Sequence, residues 1–180
     1  MSDTNDLGSK NPIQNIILDT CILQYLSNKY LKGELGKYLL SLVGRGFGLA
    51  ISDISISELL QDATLEQEKI SSSTLSLFNR YPLNEDILIA GAQISTLYKI
   101  DNTKNNSISL PDKIIASASV LSGSLILTAD VNDYPRLFFS EAEEKWILYR
   151  KNNKNNILVI QLLRPNTEYI KQKFSLSQTL

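Results

Sequence analysis

Asn15-Ile-Ile-Leu-Asp19-Thr20-Cys21-Ile22-Leu23 is the stretch whose reading decides the fold. Ile16, Ile17 and Leu18 are apolar in succession, the pattern of a strand covered on both faces, and an acid closes the run. Thr20 to Lys29 then puts Ile22, Leu23, Leu26 and Tyr30 near one helical face. Strand, acid, helix is the repeating unit of an α/β protein, and the same unit recurs outward from it. Glu34 to Gly44 reads as a helix through Leu35, Tyr38, Leu39 and Leu42, and Phe47 to Ile51 as a buried strand followed by a helix from Ser52 or Ser55 that turns Ile56, Leu59 and Leu60 inward. Thr64 to Arg80 and Glu85 to Lys99 read as two helices separated by Pro82. Asp101 to Ser109 is a polar loop, after which Pro111 opens a helix with Ile114, Ile115, Ala118 and Leu121 inside and Gly123 at its end. Ser124 to Leu127 is another buried strand, followed by a short helical segment. Trp146 to Tyr149 and Ile157 to Leu163 read as strands joined across the Asn-rich turn Lys151 to Asn156, with Trp146 as a packing residue between them.

This alternation predicts a three-layer α/β/α arrangement around a central parallel sheet, with an extended C-terminal segment. Residues 1–13 read as a disordered N-terminal tail, 14–165 as one domain with extra strands from about residue 145, and 166–180 as a C-terminal tail. In such sheets ligands bind beyond the carboxyl ends of the strands, so the chemistry is sought there.

Composition narrows that chemistry. The chain has 180 residues and is 43% hydrophobic, enough for one sizeable core, and has neither the apolar run of a membrane span nor a signal core at its polar start. A cytoplasmic protein is expected, in agreement with a single cysteine, Cys21. Histidine is absent, which removes histidine-based hydrolases and histidine-ligated zinc enzymes and leaves carboxylates, lysine, tyrosine or an oxygen-held metal. Charge is segregated along the chain. Met1 to Glu144 carries 11 basic and 18 acidic residues, whereas Lys145 to Leu180 carries 7 basic residues against Glu168, a distribution able to guide a polyanion toward the acidic body.

Four acids fall at the expected ligand-binding edge. Asp19 ends the first strand, Glu58 lies early in the helix after the Phe47 strand, Asp112 opens its helix, and Asp130 follows the strand Leu125 to Leu127; Asp133 is a fifth candidate. Each alone has a structural explanation. Asp19 and Asp130 suit helix N-caps, Ser55-Ile-Ser-Glu58 is formally a capping box, and Asp112 suits the positive end of a helix dipole. Together they crowd negative charge that a cation must balance. Mg²⁺ or Mn²⁺, which prefer carboxylate oxygens, make a metal-dependent phosphodiesterase the natural chemistry.

Ile17-Leu-Asp19-Thr20, Ser55-x-x-Glu58-Leu59, Asp112-x-Ile-Ile-Ala-x-Ala118 and Leu127-Thr128-x-Asp130-x-x-Asp133-Tyr134, in that order, resemble the PIN-domain ribonucleases and, within them, the VapC-type toxins of toxin–antitoxin pairs. The likeness spans about Asn15 to Phe138. It implies a PIN-like fold, a Mg²⁺- or Mn²⁺-dependent endoribonuclease, a metal-binding quartet of Asp19, Glu58, Asp112 and Asp130 with Asp133 as outer member, and supporting roles for Thr20 and Thr128. It also implies a small antitoxin partner and a homodimer. Cys21 stands where a small polar residue is common, and the chain after Phe138 is longer than a compact toxin requires. Arg136, Arg150, Lys151 and Lys154 are the RNA-contact candidates. Two alternatives share the fold: an RNA-processing nuclease that is not a toxin, and a non-catalytic RNA- or protein-binding module.

Overall fold

A computed structural model describes residues 14–61, 73–100 and 108–177. The expected tail at 1–13, residues 64–72 of an expected helix and most of the expected loop at 101–109 lie outside that range.

The sheet has six strands: β1 (Asn15–Leu18), β2 (Gly48–Ser52), β3 (Asn79–Tyr81), β4 (Leu125–Thr128), β5 (Phe139–Lys151) and β6 (Lys154–Pro165), in the order β3-β2-β1-β4-β6-β5. The four strands β3, β2, β1 and β4 are parallel, as the apolar runs of β2, β1 and β4 predict for those three, and β6 and β5 extend them antiparallel. The sheet is therefore mixed. The alternation of a strand places successive side chains on opposite faces, and the core divides accordingly. Ile16 and Leu18 join Leu35, Leu39 and Leu42 of α2 (Lys32–Gly44) in one layer, with α1 (Thr20–Leu26) and part of α3 (Asp53–Leu60). Ile17 and Ile126 join Ile87, Ile94 and Leu97 of α4 (Glu85–Ile100) and Ile114, Ile115 and Ala118 of α5 (Leu110–Ser122) in the other. That is an α/β fold with helices on both faces of the sheet.

Several local expectations change. Asn79 and Arg80, expected at the end of a helix, form the edge strand β3 with Tyr81, fixed by pairing with β2 and by the Tyr81 hydroxyl, 2.7 Å from Ser124 Oγ. Residues 166–180, read as a tail, include a helix, α6 (Thr167–Ser177), whose Ile170 is buried in the second core layer. Leu121, expected inside, is exposed at the far end of α5. Gly123 does end α5, with the left-handed φ of 69° that closes a helix without a Cβ penalty.

β5 is far longer than the four-residue strand expected, and its N-terminal half is acidic. The hairpin turns at Asn152 and Asn153, both at positive φ (51° and 60°), the conformation of a two-residue turn that matches strand twist and that Asn tolerates well. Gln161 of β6 pairs with Thr128 at the end of β4, so Lys154 to Ile160 and the facing part of β5 project past the carboxyl ends of the parallel strands by roughly 20 Å. No helix among the described residues is long and apolar enough to cross a membrane.

Candidate functional site

The carboxyl ends of β1 and β4, the helices α3 and α5 and the short 3₁₀ turn Val131–Asp133 bring the five acids to one edge. Asp19, directly after β1, is only 3% exposed and its backbone N–H donates to the Leu127 carbonyl of β4 at 3.0 Å. Thr128 Oγ1 donates to Asp19 Oδ2 at 2.6 Å and accepts from the Asp130 backbone N–H at 2.9 Å, tying the two strand ends together. Thr20 Oγ1 donates to Glu58 Oε2 at 2.6 Å, and Ser109 Oγ donates to Asp112 Oδ2 at 2.6 Å. Three carboxylates are thus each aimed by a hydroxyl.

The charges act on one another. Burial pushes Asp19 above the usual carboxylate range, against the Thr128 hydrogen bond, and the charge of Asp112 adds to the rise. Glu58 is raised by burial and then by Asp112 and Asp19, and Asp112 by burial and by Asp130. Asp133 is pushed up to about 7, by burial first and then by Asp112, Asp130 and Asp19. Among the described residues the ion pairs lie elsewhere, at Lys37–Glu34, Arg45–Glu143 and Arg80–Asp53.

Capping explains two of these acids and fails for two. Asp19 precedes α1 but its side chain makes no cap hydrogen bond, although it is buried. The N-cap of α3 is Ser52, so Glu58 sits beyond the first turn and Ser55-x-x-Glu58 is not a capping box; the Ser55 hydroxyl is buried with no hydrogen-bond partner among the described residues. Asp112 does occupy the first turn of α5, its N–H bonded to the N-cap Ser109, and Asp130 caps the 3₁₀ turn through Asn132. Ser109 is not among the expected site residues, although Ser109-x-x-Asp112 has the spacing that pairs a cap with the third helical residue. The phenol of Tyr134 is buried beside the site: its hydroxyl has no hydrogen-bond partner among the described residues, and Asp19 and Asp112 are the leading charges acting on it.

Donor chemistry at this edge suits a hard divalent cation, since the side chains offered are carboxylates. In the geometry as it stands, no group of three or more acid or thiol side chains among the described residues is gathered closely enough to hold a metal ion. Cys21 is part of the local packing. Its Sγ lies 3.4 Å from Asp19 Oδ2 and accepts the Ala129 N–H, and burial followed by the Asp19 charge pushes the thiol up to about 12.

Of the basic candidates, Arg136 lines a cavity of about 250 Å³ with Val131, Tyr134, Phe139, Gln161 and Leu163, adjoining the Asp130–Asp133 turn. Arg150, Lys151 and Lys154 are exposed around the hairpin tip, away from the acids. Trp146 is 60% exposed and is not the packing residue expected, because no layer of the described residues covers its side of β5.

No family model matches the chain, and no curated protein does. Solved structures do. VapBC2 from Rickettsia felis, bound to a DNA fragment from its promoter, matches with a TM-score of 0.58 at 20% identity over 68% of this chain and 92% of that one. A toxin–antitoxin complex from Klebsiella pneumoniae matches with 0.52 at 24% identity, over 66% and 89%. FitAcB from Neisseria gonorrhoeae matches with 0.54 at 20% identity, over 66% and 90%. At these identities the likeness is one of fold: this chain has the α/β fold found in those complexes.

Proposed function

We propose that the chain is a metal-dependent endoribonuclease of PIN type, hydrolysing RNA phosphodiester bonds at Asp19, Glu58, Asp112 and Asp130, and that it acts as the toxin of a toxin–antitoxin pair. The observation that supports the reading is the gathering of Asp19, Glu58, Asp112, Asp130 and Asp133 at one edge of the sheet, three of them held by hydroxyl donors at 2.6 Å, where burial first and neighbouring acids second push Asp19, Glu58, Asp112 and Asp133 up. A folded chain that only needed caps would not bury carboxylates beside other acids, where ionisation is harder. The fold shared with the toxin–antitoxin complex from Klebsiella pneumoniae supports the biological part.

Asp19, Asp112, Asp130 and Glu58 would hold Mg²⁺ or Mn²⁺, with Asp133 as outer member. Bound there, the ion supplies a Lewis acid and an activated water for phosphate chemistry. The protein's own contribution is orientation. Thr128 fixes Asp19, Thr20 fixes Glu58 and Ser109 fixes Asp112, each at 2.6 Å, so the carboxylates are presented from rigid strand and helix ends. Arg136 at the near side of the edge, and Arg150, Lys151 and Lys154 at the hairpin tip, supply positive charge toward an RNA backbone. The antitoxin would close the edge by placing an Arg or Lys among the acids, in competition with the cation.

Growth tests the toxin reading. Induced expression of the wild-type chain alone should arrest growth and Asp19→Asn at matched protein level should not; equal growth of the two cultures would refute it.

A further inference from the structure

The cavity beside the acids has no part in the chemistry proposed above. It measures about 250 Å³ and lies between the 3₁₀ turn Val131–Asp133 and the hairpin strands, with Val131, Tyr134, Phe139 and Leu163 as its apolar lining. That is below the roughly 300–1,000 Å³ of pockets for drug-sized ligands and suits a single flat heterocycle. Tyr134 and Phe139, both 1% exposed, meet edge to face at 5.6 Å and form a fixed floor. Position ties the cavity to the acids. Val131 directly follows Asp130, Tyr134 directly follows Asp133, and Gln161 pairs with Thr128, whose hydroxyl holds Asp19. A group seated there is a neighbour of whatever reacts at the strand ends.

The polar groups on the wall select that group. Gln161 is 8% exposed, and its Nε2 donates to Glu144 Oε2 at 2.7 Å, so its carbonyl oxygen is the acceptor it has left to offer. Trp146 Nε1 donates to the other oxygen of the same carboxylate at 2.6 Å and steadies the arrangement. Glu141 lies opposite Leu163, is exposed, and has no ion pair among the described residues. The cavity therefore offers an amide oxygen and a carboxylate over an apolar floor, with the exposed Arg136 as the cation at its rim.

Among the RNA bases this set matches guanine. The Watson–Crick edge of guanine carries two adjacent donors, N1–H and the N2 amine, which a carboxylate and an amide oxygen accept together. Adenine, cytosine and uracil each place an acceptor next to the one donor group of that edge, and the acceptor would face the Glu141 charge. We infer that the cavity seats an unpaired guanine of the RNA beside the bond that is cut, with Glu141 and Gln161 on its Watson–Crick edge and Arg136 on the neighbouring phosphate. This rests on the nuclease reading and adds a base preference to it.

Binding and cleavage test the two separately. Short labelled oligouridines carrying one guanine, adenine or cytosine, or none, are titrated by fluorescence anisotropy in EDTA, then incubated with Mn²⁺ and their products mapped. The guanine oligonucleotide should bind about tenfold more tightly than the others. Inosine, which lacks the N2 amine, should lose most of that gain, and 7-deazaguanine, whose Watson–Crick edge is intact, should keep it. Glu141→Ala, with a native circular dichroism spectrum because the residue is exposed, should erase most of the preference. In Mn²⁺ the cuts should fall beside the guanine. Equal binding of the four oligonucleotides would overturn the inference, as would a Glu141→Ala effect equal for all four, which is charge alone, or cuts placed without regard to guanine. A guanine preference in EDTA with no cleavage in Mn²⁺ would leave the base site standing and refute the nuclease reading instead.

Discussion

Asp133→Asn should stabilise the metal-free protein, and do so increasingly as pH rises. Burial, followed by the charges of Asp112, Asp130 and Asp19, carries the Asp133 carboxyl from 3.8 to about 7. A carboxyl held above its unfolded value favours folding while it keeps its proton. Its contribution is complete below about 3.8 and is lost as pH rises through about 7, the reverse of an acid held in an ion pair. A displacement of that size corresponds to about 4 kcal/mol at full strength. Asp133 is only half-buried, so water and salt screen its field, and about 1 kcal/mol is expected. In a protein of this size that is about 2–4 °C in melting temperature. Melting in EDTA at about pH 4.5 and about pH 8 reads the effect directly. The variant should melt higher than wild type by that amount at the upper pH, and the gap should narrow at the lower one, where the wild-type carboxyl is protonated. An Asp133→Asn protein that melts at or below wild type at about pH 8 would refute the reasoning, because the acid would then be stabilising where it stands.

Other outcomes follow from the same contacts. Asp19→Asn should lose RNA cleavage by several orders of magnitude while melting at or above the wild-type temperature without metal, as judged by single-turnover rates and calorimetry; unfolding of the variant would return Asp19 to a structural role. Thr128→Val keeps the side-chain shape but removes the donor to Asp19 and the acceptor for the Asp130 N–H, and should cost about 2 kcal/mol in urea unfolding, whereas an unchanged midpoint would show that the link between the strand ends carries little. Cys21, pushed up to about 12, should resist alkylation in the native protein near neutral pH and react once urea unfolds it; rapid native labelling would contradict the burial described.

The fold was legible where apolar runs were strong. Ile16 to Leu18 and Leu125 to Leu127 are buried on both faces, and such strands carry their own signature. β3 was not legible: Asn79-Arg80-Tyr81 is polar, three residues long and held by pairing with β2 and by the Arg80–Asp53 contact at 2.6 Å, none of which is periodic in sequence. β5 was seen only at its apolar end, because a bulge between Glu141 and Glu143 breaks the alternation and half of the strand faces solvent. The site was legible as a set of acids after strands. Which of them cap helices was not, since that depends on where each helix begins: α3 begins at Asp53, which takes Glu58 out of the capping position. Trp146 misled because an aromatic in a strand usually packs, and nothing in the sequence shows that the described helices cover only the other face of the hairpin, where Ile147 and Ile160 are buried.

RNA cleavage as a function of bound metal tests the central claim most directly. Wild-type protein stripped with EDTA should be inactive on a labelled RNA, and should regain cleavage on addition of Mn²⁺ in excess of the chelator. Asp112→Asn, with an unchanged circular dichroism spectrum, should stay near background throughout. Undiminished cleavage in EDTA, or Asp112→Asn cleaving at the wild-type rate in Mn²⁺, would contradict the account.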